Sequence, residues 1–259
     1  MALTNKTIAS SYQDILQLEN GGSGRTANGT NVKDGLGQST SLTLGQNKLH
    51  IKPGTDQTDA FLVESASGGD LINVDTSSQN VKLGSTQPFA NTQIQEFSVF
   101  DLQPTADTHT AMFTNGFLNT STAPITLGTG TDPATTFTLG DSEANAMALV
   151  ASSWYIPTNI LIDEVRVIAA GESSDTLNFH LFKYTIAGGT SSTSGDLSSG
   201  ELVAYNSSAL AINSDRVTTT TLSFDDASVA ANKVVIATVE NVGATTDVAA
   251  KLIVKYHFK

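Results

Sequence analysis

The chain distributes its aromatic side chains very unevenly, and this limits how its first part can fold. Residues 1–90 contain only Tyr12, Phe61 and Phe89, whereas residues 91–259 contain the other 14 of the 17 Phe, Tyr and Trp side chains. Aromatic rings supply much of the area that a hydrophobic core buries. We therefore expect residues 91–259 to fold around a core of their own, and residues 1–90 to need apolar surface from another chain.

The composition is that of a folded protein without cysteine chemistry. Hydrophobic residues make up 39% of the 259 residues, which is enough for a packed core and argues against disorder. The sequence contains no Cys, and this excludes disulfide bonds, thiolate metal sites and thiol catalysis.

The charge is acidic and lies mostly in the second part of the chain. Thirteen Lys and Arg face 25 Asp and Glu, a net charge of −12, of which residues 1–90 carry −2 and residues 91–259 carry −10. Nucleic-acid binding and anionic membrane surfaces favour basic proteins, so we expect neither as a partner. The nearly neutral first part is the better candidate for docking, and the acidic second part for facing solvent.

Apolar residues near the start of the chain predict a short helix. Ile8, Tyr12, Ile15 and Leu16 recur at helical spacing and would form one stripe, and two glycines end the segment after residue 20. A helix of about 12 residues is marginal alone in water, so its stripe must dock on something. It could pack on its own domain, or it could insert into a neighbouring subunit or a larger assembly.

Residues 1–93 divide into an anchor and a strand-rich segment. The Gly-, Asn-, Ser- and Thr-rich residues 21–40 indicate a linker or extended arm, so residues 1–40 are interpreted as an anchor helix with an arm. Residues 41–93 contain short alternating runs that predict strands at 41–44, 48–52, 60–65, 71–76 and 80–84. These strands are too short to form a stable sheet alone. An intertwined trimeric β shaft would pair their edges and cover their apolar sides.

Two segments of the first part resemble a known class of proteins. The run DAFLVESASGGDLINVDTSSQNVKLGSTQ at residues 59–87 resembles a segment of bacteriophage tail fibres and related virion appendages. The run TNKTIASSYQDILQLEN at residues 4–20 resembles the N-terminal segment of structural proteins of marine phages, including head-fibre-like proteins. The resemblance implies a homotrimeric, non-enzymatic virion protein that attaches to capsid or tail proteins through its N-terminal region. It implies no particular functional residue.

Residues 94–259 show an all-β pattern, for which we predict a C-terminal jelly-roll-like β-sandwich of about eight core strands. A break in alternation at Asp163 and Glu164 predicts a bulge or bend. The predicted strands cover 94–102, 110–117, 125–127, 135–139, 146–156, 159–170, 176–186, 201–205, 216–224, 233–241 and 249–258.

No motif in the sequence predicts catalysis or a cofactor. The nucleophile elbow, the phosphate-binding P-loop and a strand-borne dinucleotide fingerprint are all missing. His50, His109, His180 and His257 lie too far apart in sequence for a local metal motif, and we interpret His180 and His257 as structural.

Acidic clusters and one aromatic pair remain as weaker candidates. We interpret Asp141/Glu143, Asp163/Glu164 and Asp225/Asp226 as solvated charges, with a weak divalent-cation site or glycosidase-like catalysis as alternatives. Trp154 and Tyr155 could stack on a sugar, but strand alternation turns at most one of the two rings outward.

Three functions follow as hypotheses. The first is a trimeric structural appendage of a phage particle, a head fibre, a capsid decoration or a tail component, which would be assembled in the host bacterium and located in the virion. The second is a receptor- or carbohydrate-binding module for host attachment. The third is a polysaccharide-degrading enzyme, which no group of residues in the sequence requires.

Overall fold

In the computed structural model, the described residues form an all-β fold with almost no helix. The chain forms two compact units, Met1–Ala90 and Asn91–Lys259. No helix among the described residues is long and apolar enough to cross a membrane. The described residues are 16–18, 26–84, 90–114, 127, 149–186, 197–243 and 246–259.

The first unit contains a four-stranded antiparallel sheet. Its strands, in spatial order, are β1 (Gln17–Leu18), β2 (Thr30–Lys33), β3 (Ser39–Leu44) and β4 (Leu49–Ile51). The predictions for β3 and β4 are confirmed. The linker prediction is wrong at β2, because a run of only four residues between Gly and Asp neighbours gives little alternation to detect.

A separate three-stranded antiparallel sheet follows in the same unit. It consists of β5 (Phe61–Glu64), β6 (Asp70–Asp75) and β7 (Asn80–Leu83), all three at predicted positions. The turn between β5 and β6 needs Gly68, whose φ of 81° lies in the left-handed region that favours glycine. Ser65 closes this turn, since its hydroxyl accepts a hydrogen bond from the Gly69 amide at 3.0 Å.

The second unit consists of two facing antiparallel sheets. Their strands are β8 (Thr92–Leu102), β9 (Thr110–Ala111), β10 (Phe113–Thr114), β11 (Trp154–Ile156), β12 (Ile160–Gly171), β13 (Asp175–Ile186), β14 (Leu197–Tyr205), β15 (Leu210–Ile212), β16 (Thr218–Thr221), β17 (Ser223–Phe224), β18 (Ser228–Val229), β19 (Lys233–Asn241) and β20 (Val248–Phe258). The six-stranded sheet has the order β10-β8-β20-β12-β16, with β18 beside β12. The seven-stranded sheet has the order β11-β19-β13-β14-β17, with β9 beside β19 and β15 beside β13.

One hydrophobic core joins the two sheets. It combines Phe97, Val165 and Leu252 of the first sheet with Phe179 and Val239 of the second, all fully buried. A smaller cluster lies on the opposite side of the seven-stranded sheet, and its buried members are Ala111, Leu127, Leu149, Phe182, Tyr184, Leu197, Val234 and Ile236. Strand β19 is therefore buried on both faces.

The strand predictions for the second unit succeed for long strands and fail for short ones. Strands β8, β12, β13, β19 and β20 lie where they were predicted, whereas β15 and β18 were not predicted. The predicted strand at 146–156 is wrong at 149–152, which are helical, and among its described residues, 149–156, the strand is limited to β11. The predicted strand at 216–224 is interrupted at Leu222, between β16 and β17. The predicted strand at 135–139 lies outside the described residues.

Two irregularities shape the six-stranded sheet. The predicted bulge in β12 is confirmed, because the pairing of β12 with β20 shifts register between Ile162 and Glu164. A second bulge lies in β8, where Phe100 and Asp101 together face Ala249. Asp101 has a φ of 53°, an uncommon conformation for a residue with a side chain. Alternation along β8 after the buried Phe97 and Val99 leaves the Phe100 ring on the outer surface of the sheet.

Candidate functional site

The predicted anchor stripe falls mostly outside the described residues. Ile8, Tyr12 and Ile15 are not among them. Leu16 is described, and its side chain is exposed immediately before strand β1. Strand β1 pairs with β2, with Leu18 opposite Val32.

The described part of the first unit buries hardly any hydrophobic side chain. The described ranges of the first unit are 16–18, 26–84 and 90. Within them, Val32 is the only buried hydrophobic residue. In contrast, the second unit has a core of more than twenty buried hydrophobic residues. Strands of the first unit thus satisfy their backbone hydrogen bonds without covering their apolar side chains.

The three-stranded sheet has one face made entirely of apolar side chains. Residues directly opposite each other in antiparallel strands project to the same side. Phe61 pairs with Val74 and Val74 with Val81, and likewise Val63 pairs with Ile72 and Ile72 with Leu83. We call these six residues the apolar face. Five of them are between 36% and 46% exposed, and Val74 is half-buried.

The other side of the same sheet is polar. Asp75 and Lys82 form an ion pair there, with Asp75 Oδ2 3.4 Å from Lys82 Nζ. The backbone amide of Ser78 donates a hydrogen bond to Asp75 Oδ1. This bond, and after it a hydrogen bond with the Ser78 side chain, holds the pKa of Asp75 below its ordinary value. Asn73 and Leu62 are paired on this polar face, so the face is not free of large apolar residues.

A group of buried aromatic rings surrounds His180 in the second unit. The His180 ring lies edge to face with His109 and stacks on Phe182 and Tyr205. Neither ring nitrogen of His180 has a hydrogen-bond partner. Burial, together with the charge of the adjacent His109, lowers the pKa of His180 to about 3.

His109 is held by polar groups of the neighbouring strand. Its Nδ1 lies 3.0 Å from Thr238 Oγ1, and its Nε2 lies 3.5 Å from a carboxylate oxygen of Glu240. Glu240 also accepts a hydrogen bond of 3.0 Å from Asn178. The interpretation of His180 and His257 as structural agrees with their burial, although the sequence did not indicate that His109 and His180 would meet.

Lys183 is a buried cation with two carboxylate partners. Its Nζ contacts Asp226 Oδ2, lies 3.0 Å from Glu201 Oε2 and donates a hydrogen bond of 3.0 Å to the Ser228 carbonyl. Burial lowers the pKa of Lys183, but the hydrogen bonds to Asp226 and Glu201 outweigh it, and the net pKa is raised. The same hydrogen bond lowers the pKa of Asp226. This arrangement stabilises charges rather than a reactive amine.

The two acidic pairs within the described residues, Asp163/Glu164 and Asp225/Asp226, do not form two-carboxylate sites. Asp163 accepts hydrogen bonds from His257 Nδ1 at 2.9 and 3.1 Å, whereas Glu164 pairs with Arg166 at 2.8 Å. Asp226 is committed to Lys183, and the pair Asp141/Glu143 lies outside the described residues. Within the described ranges, no three His, Cys, Asp or Glu side chains are placed to hold a metal ion.

Trp154 and Tyr155 take opposite sides of β11, as strand alternation predicted. Trp154 packs against the core, with its ring centroid 4.8 Å from that of Tyr256. Tyr155 is exposed, and its hydroxyl donates a hydrogen bond of 2.6 Å to Asn232 Oδ1. A single exposed ring remains at this position, so the pair does not form a two-ring platform.

An apolar trough crosses the outer surface of the six-stranded sheet. Ala170 and Ala249 are paired at its floor, and Phe100, Ile168 and Val217 form its sides. Its volume is about 380 Å³, and Phe100 is 68% exposed. The sequence did not indicate this trough, because its lining comes from strands far apart in the chain.

Comparisons of this chain with protein-family models, with curated proteins and with solved structures found no match.

Proposed function

We propose that this chain is a homotrimeric, non-enzymatic structural component of a bacteriophage particle, a fibre or decoration protein. Residues 1–40 would attach it to other capsid or tail proteins, residues 41–93 would form the trimeric shaft, and residues 94–259 would project as an acidic domain. The observation that carries the proposal is the missing core of the first unit, in whose described part Val32 is the sole buried hydrophobic residue. The resemblance of residues 59–87 to phage fibre segments supports the same assignment.

The exposed apolar side chains of the first unit explain why several copies would associate. Burying apolar surface contributes roughly 25 cal/mol per Å², so a fully covered Leu, Ile or Phe contributes about 1.5–3 kcal/mol. Leu49, Leu71, Ile72 and Leu83 are all exposed in the isolated chain. An assembly of three copies offers each of them a neighbour without any other protein.

We infer further that the second unit is a jelly roll. Eight of its strands can be numbered along the chain as β8, β9, β12, β13, β14, β16, β19 and β20. Numbered in that way, the strand order is 1-8-3-6 in one sheet and 2-7-4-5 in the other. This is the order of two interlocked Greek keys, the arrangement of jelly-roll domains in many capsid proteins.

The mass of the assembled protein and its presence on phage particles test the proposal. A trimer would have three times the 27.0 kDa of one chain, about 81 kDa by mass photometry, and an intertwined shaft should resist SDS before boiling. Antibodies against residues 91–259 should label purified phage particles in electron micrographs. A folded monomer at micromolar concentration, or particles without label, would overturn the proposal.

The anchor can be tested separately with a substitution at Tyr12. Tyr12→Asp would place a charge in the proposed apolar contact with the virion. We expect the variant to stay out of assembled particles while the circular dichroism of its β structure is unchanged. Incorporation at the level of the unmodified chain would refute the anchor role.

The apolar trough favours host attachment as a second candidate function. It lies at the end of the sandwich where β8 ends and β12 reaches Gly171, away from the end where the second unit begins. An exposed Phe ring beside two alanines offers a flat apolar surface on which a sugar ring can stack. Binding of the whole chain to host cells, lost in Phe100→Ala but kept in Tyr155→Ala, would favour this function.

A further inference from the structure

The apolar face of the three-stranded sheet contains no charged or polar side chain. Its six positions are Phe61, Val63, Ile72, Val74, Val81 and Leu83. Each of the three strands contributes two of them, at alternate positions, so the pattern runs across the whole sheet. The apolar surface is therefore a continuous patch and not a set of scattered residues.

We propose that the apolar face is the contact between copies of this chain, with the same face of each copy turned toward a common axis. This proposal rests on the proposed trimer and states which surface forms it. Three such faces around an axis would enclose an apolar interior, and the polar faces would form the outside. The apolar side chains would then be covered, as one face of an antiparallel sheet commonly is.

Charge explains why another copy fits this face. The chain carries a net charge of −12, so identical chains repel each other through most of their surfaces. The apolar face is the side of this sheet on which no charge has to be buried. The Asp75–Lys82 ion pair lies on the other side, where Asp75 is already covered within its own chain and keeps its partner.

The architecture of the sheet points the same way. A three-stranded sheet of four- to six-residue strands needs a covered hydrophobic face to be stable. A partner that is always present at equal concentration meets this need during folding. Further copies of the same chain meet this condition, because they are made together with it.

A pair of matched substitutions in the whole chain tests the contact. Ile72 on the apolar face is 38% exposed, and Leu62 on the polar face is 36% exposed. We expect Ile72→Asp to raise the concentration at which the trimer dissociates by about a hundredfold or more, because it buries a carboxylate in an apolar contact. Leu62→Asp should leave the dissociation unchanged, as measured by mass photometry over a dilution series.

Single cysteines give a second measurement that does not depend on destabilising the sheet. Because the chain has no Cys, Ile72→Cys and Leu62→Cys each introduce one thiol. Oxidation or a short bifunctional maleimide should link copies of Ile72→Cys and not copies of Leu62→Cys. Cross-linking through Leu62→Cys alone, or a trimer of Ile72→Asp as stable as the unmodified one, would overturn the inference.

The outcomes separate this inference from the proposed function. If the unmodified chain is a monomer, both fail. If it is a trimer that Ile72→Asp leaves intact, the trimeric assembly stands and the apolar face is not its contact.

Discussion

The imidazole rings of His109 and His180 meet edge to face, with centroids 4.3 Å apart and planes at 87°. His180 comes from β13, and His109 from the segment just before β9, on the other side of strand β19 in the sheet. Their contact therefore joins an edge segment to the centre of the seven-stranded sheet. It holds only while His180 stays neutral, because a proton there would place a charge in an apolar site without a hydrogen-bond acceptor.

The second unit should lose stability as the pH falls below the ordinary pKa of histidine. His180 has a pKa of about 3 in the folded chain and an ordinary value of 6.5, so between these values the unfolded chain binds a proton that the folded chain excludes. The contribution of neutral His180 to the free energy of unfolding is then fully present above pH 6.5 and decreases toward pH 3. At pH 4.5 about 3 kcal/mol of it is lost. Urea unfolding followed by circular dichroism at several pH values measures this slope.

Two variants act as controls for that slope. His180→Phe keeps a ring between Phe182 and Tyr205 and removes the titrating group, so its stability should depend less on pH. His50→Gln changes an exposed histidine in β4 and should leave the slope as it is. Equal slopes in His180→Phe and the unmodified chain would contradict the assignment.

Removing Asp226 should destabilise the second unit more than removing its partner Lys183. Asp226→Ala leaves a buried amine with fewer acceptors, whereas Lys183→Met leaves half-exposed carboxylates that water can solvate. We expect Asp226→Ala to destabilise the second unit by about 1–3 kcal/mol, and Lys183→Met by less. Thermal unfolding of both variants, with Asp225→Ala as the neighbouring control, compares them. A larger loss in Lys183→Met would be inconsistent with this account.

Two phenylalanines of β8 should differ strongly in their contribution to stability. Phe97 is fully buried between the sheets, whereas Phe100, three residues later, faces the trough. Phe97→Ala should cost about 3–5 kcal/mol, as truncations of buried aromatic residues do. Phe100→Ala should change stability by less than about 0.5 kcal/mol. Denaturant midpoints of the two variants test the difference, and similar midpoints would contradict the placement of the two rings on opposite faces of β8.

The bulge in β12 offers a prediction about hydrogen bonding. Asp163, at the register shift, accepts a hydrogen bond from Nδ1 of the buried His257 ring, which both carboxylate oxygens share. Asp163→Ala should therefore destabilise the second unit by about 1–3 kcal/mol, because it removes the acceptor of a buried donor. Glu164→Ala, which removes only a surface ion pair with Arg166, should cost about 1 kcal/mol or less. Chemical unfolding of the two variants provides the comparison.

The sequence predicted the parts of the fold that depend on local patterns. Long runs such as residues 176–186 and 233–241 contain enough apolar and β-branched residues to identify β13 and β19. The break in alternation at Asp163 located the bulge because a single extra residue changes which face the following side chains occupy. Strands β2 and β15 escaped because neither alternates: β2 (TNVK) has one apolar residue and β15 (LAI) has three in a row.

The sites required information that spacing along the chain does not contain. His109 and His180 are 71 positions apart, and Lys183 and Asp226 are 43 positions apart. Their contacts arise from how strands of distant sequence are ordered in a sheet. The apolar face, in contrast, needed only the pairing register of three consecutive strands. Its residues were visible in the sequence as alternating positions, but which side of the sheet they shared was not.

The pairing of His257 with Thr92 means that the second unit starts and finishes at one end. A peptide or fluorescent protein joined after Lys259 would thus sit beside the stretch that leads in from Ala90. The opposite end is built from turns such as 172–174 and 213–217. An epitope meant to be displayed far from that stretch belongs in one of these turns.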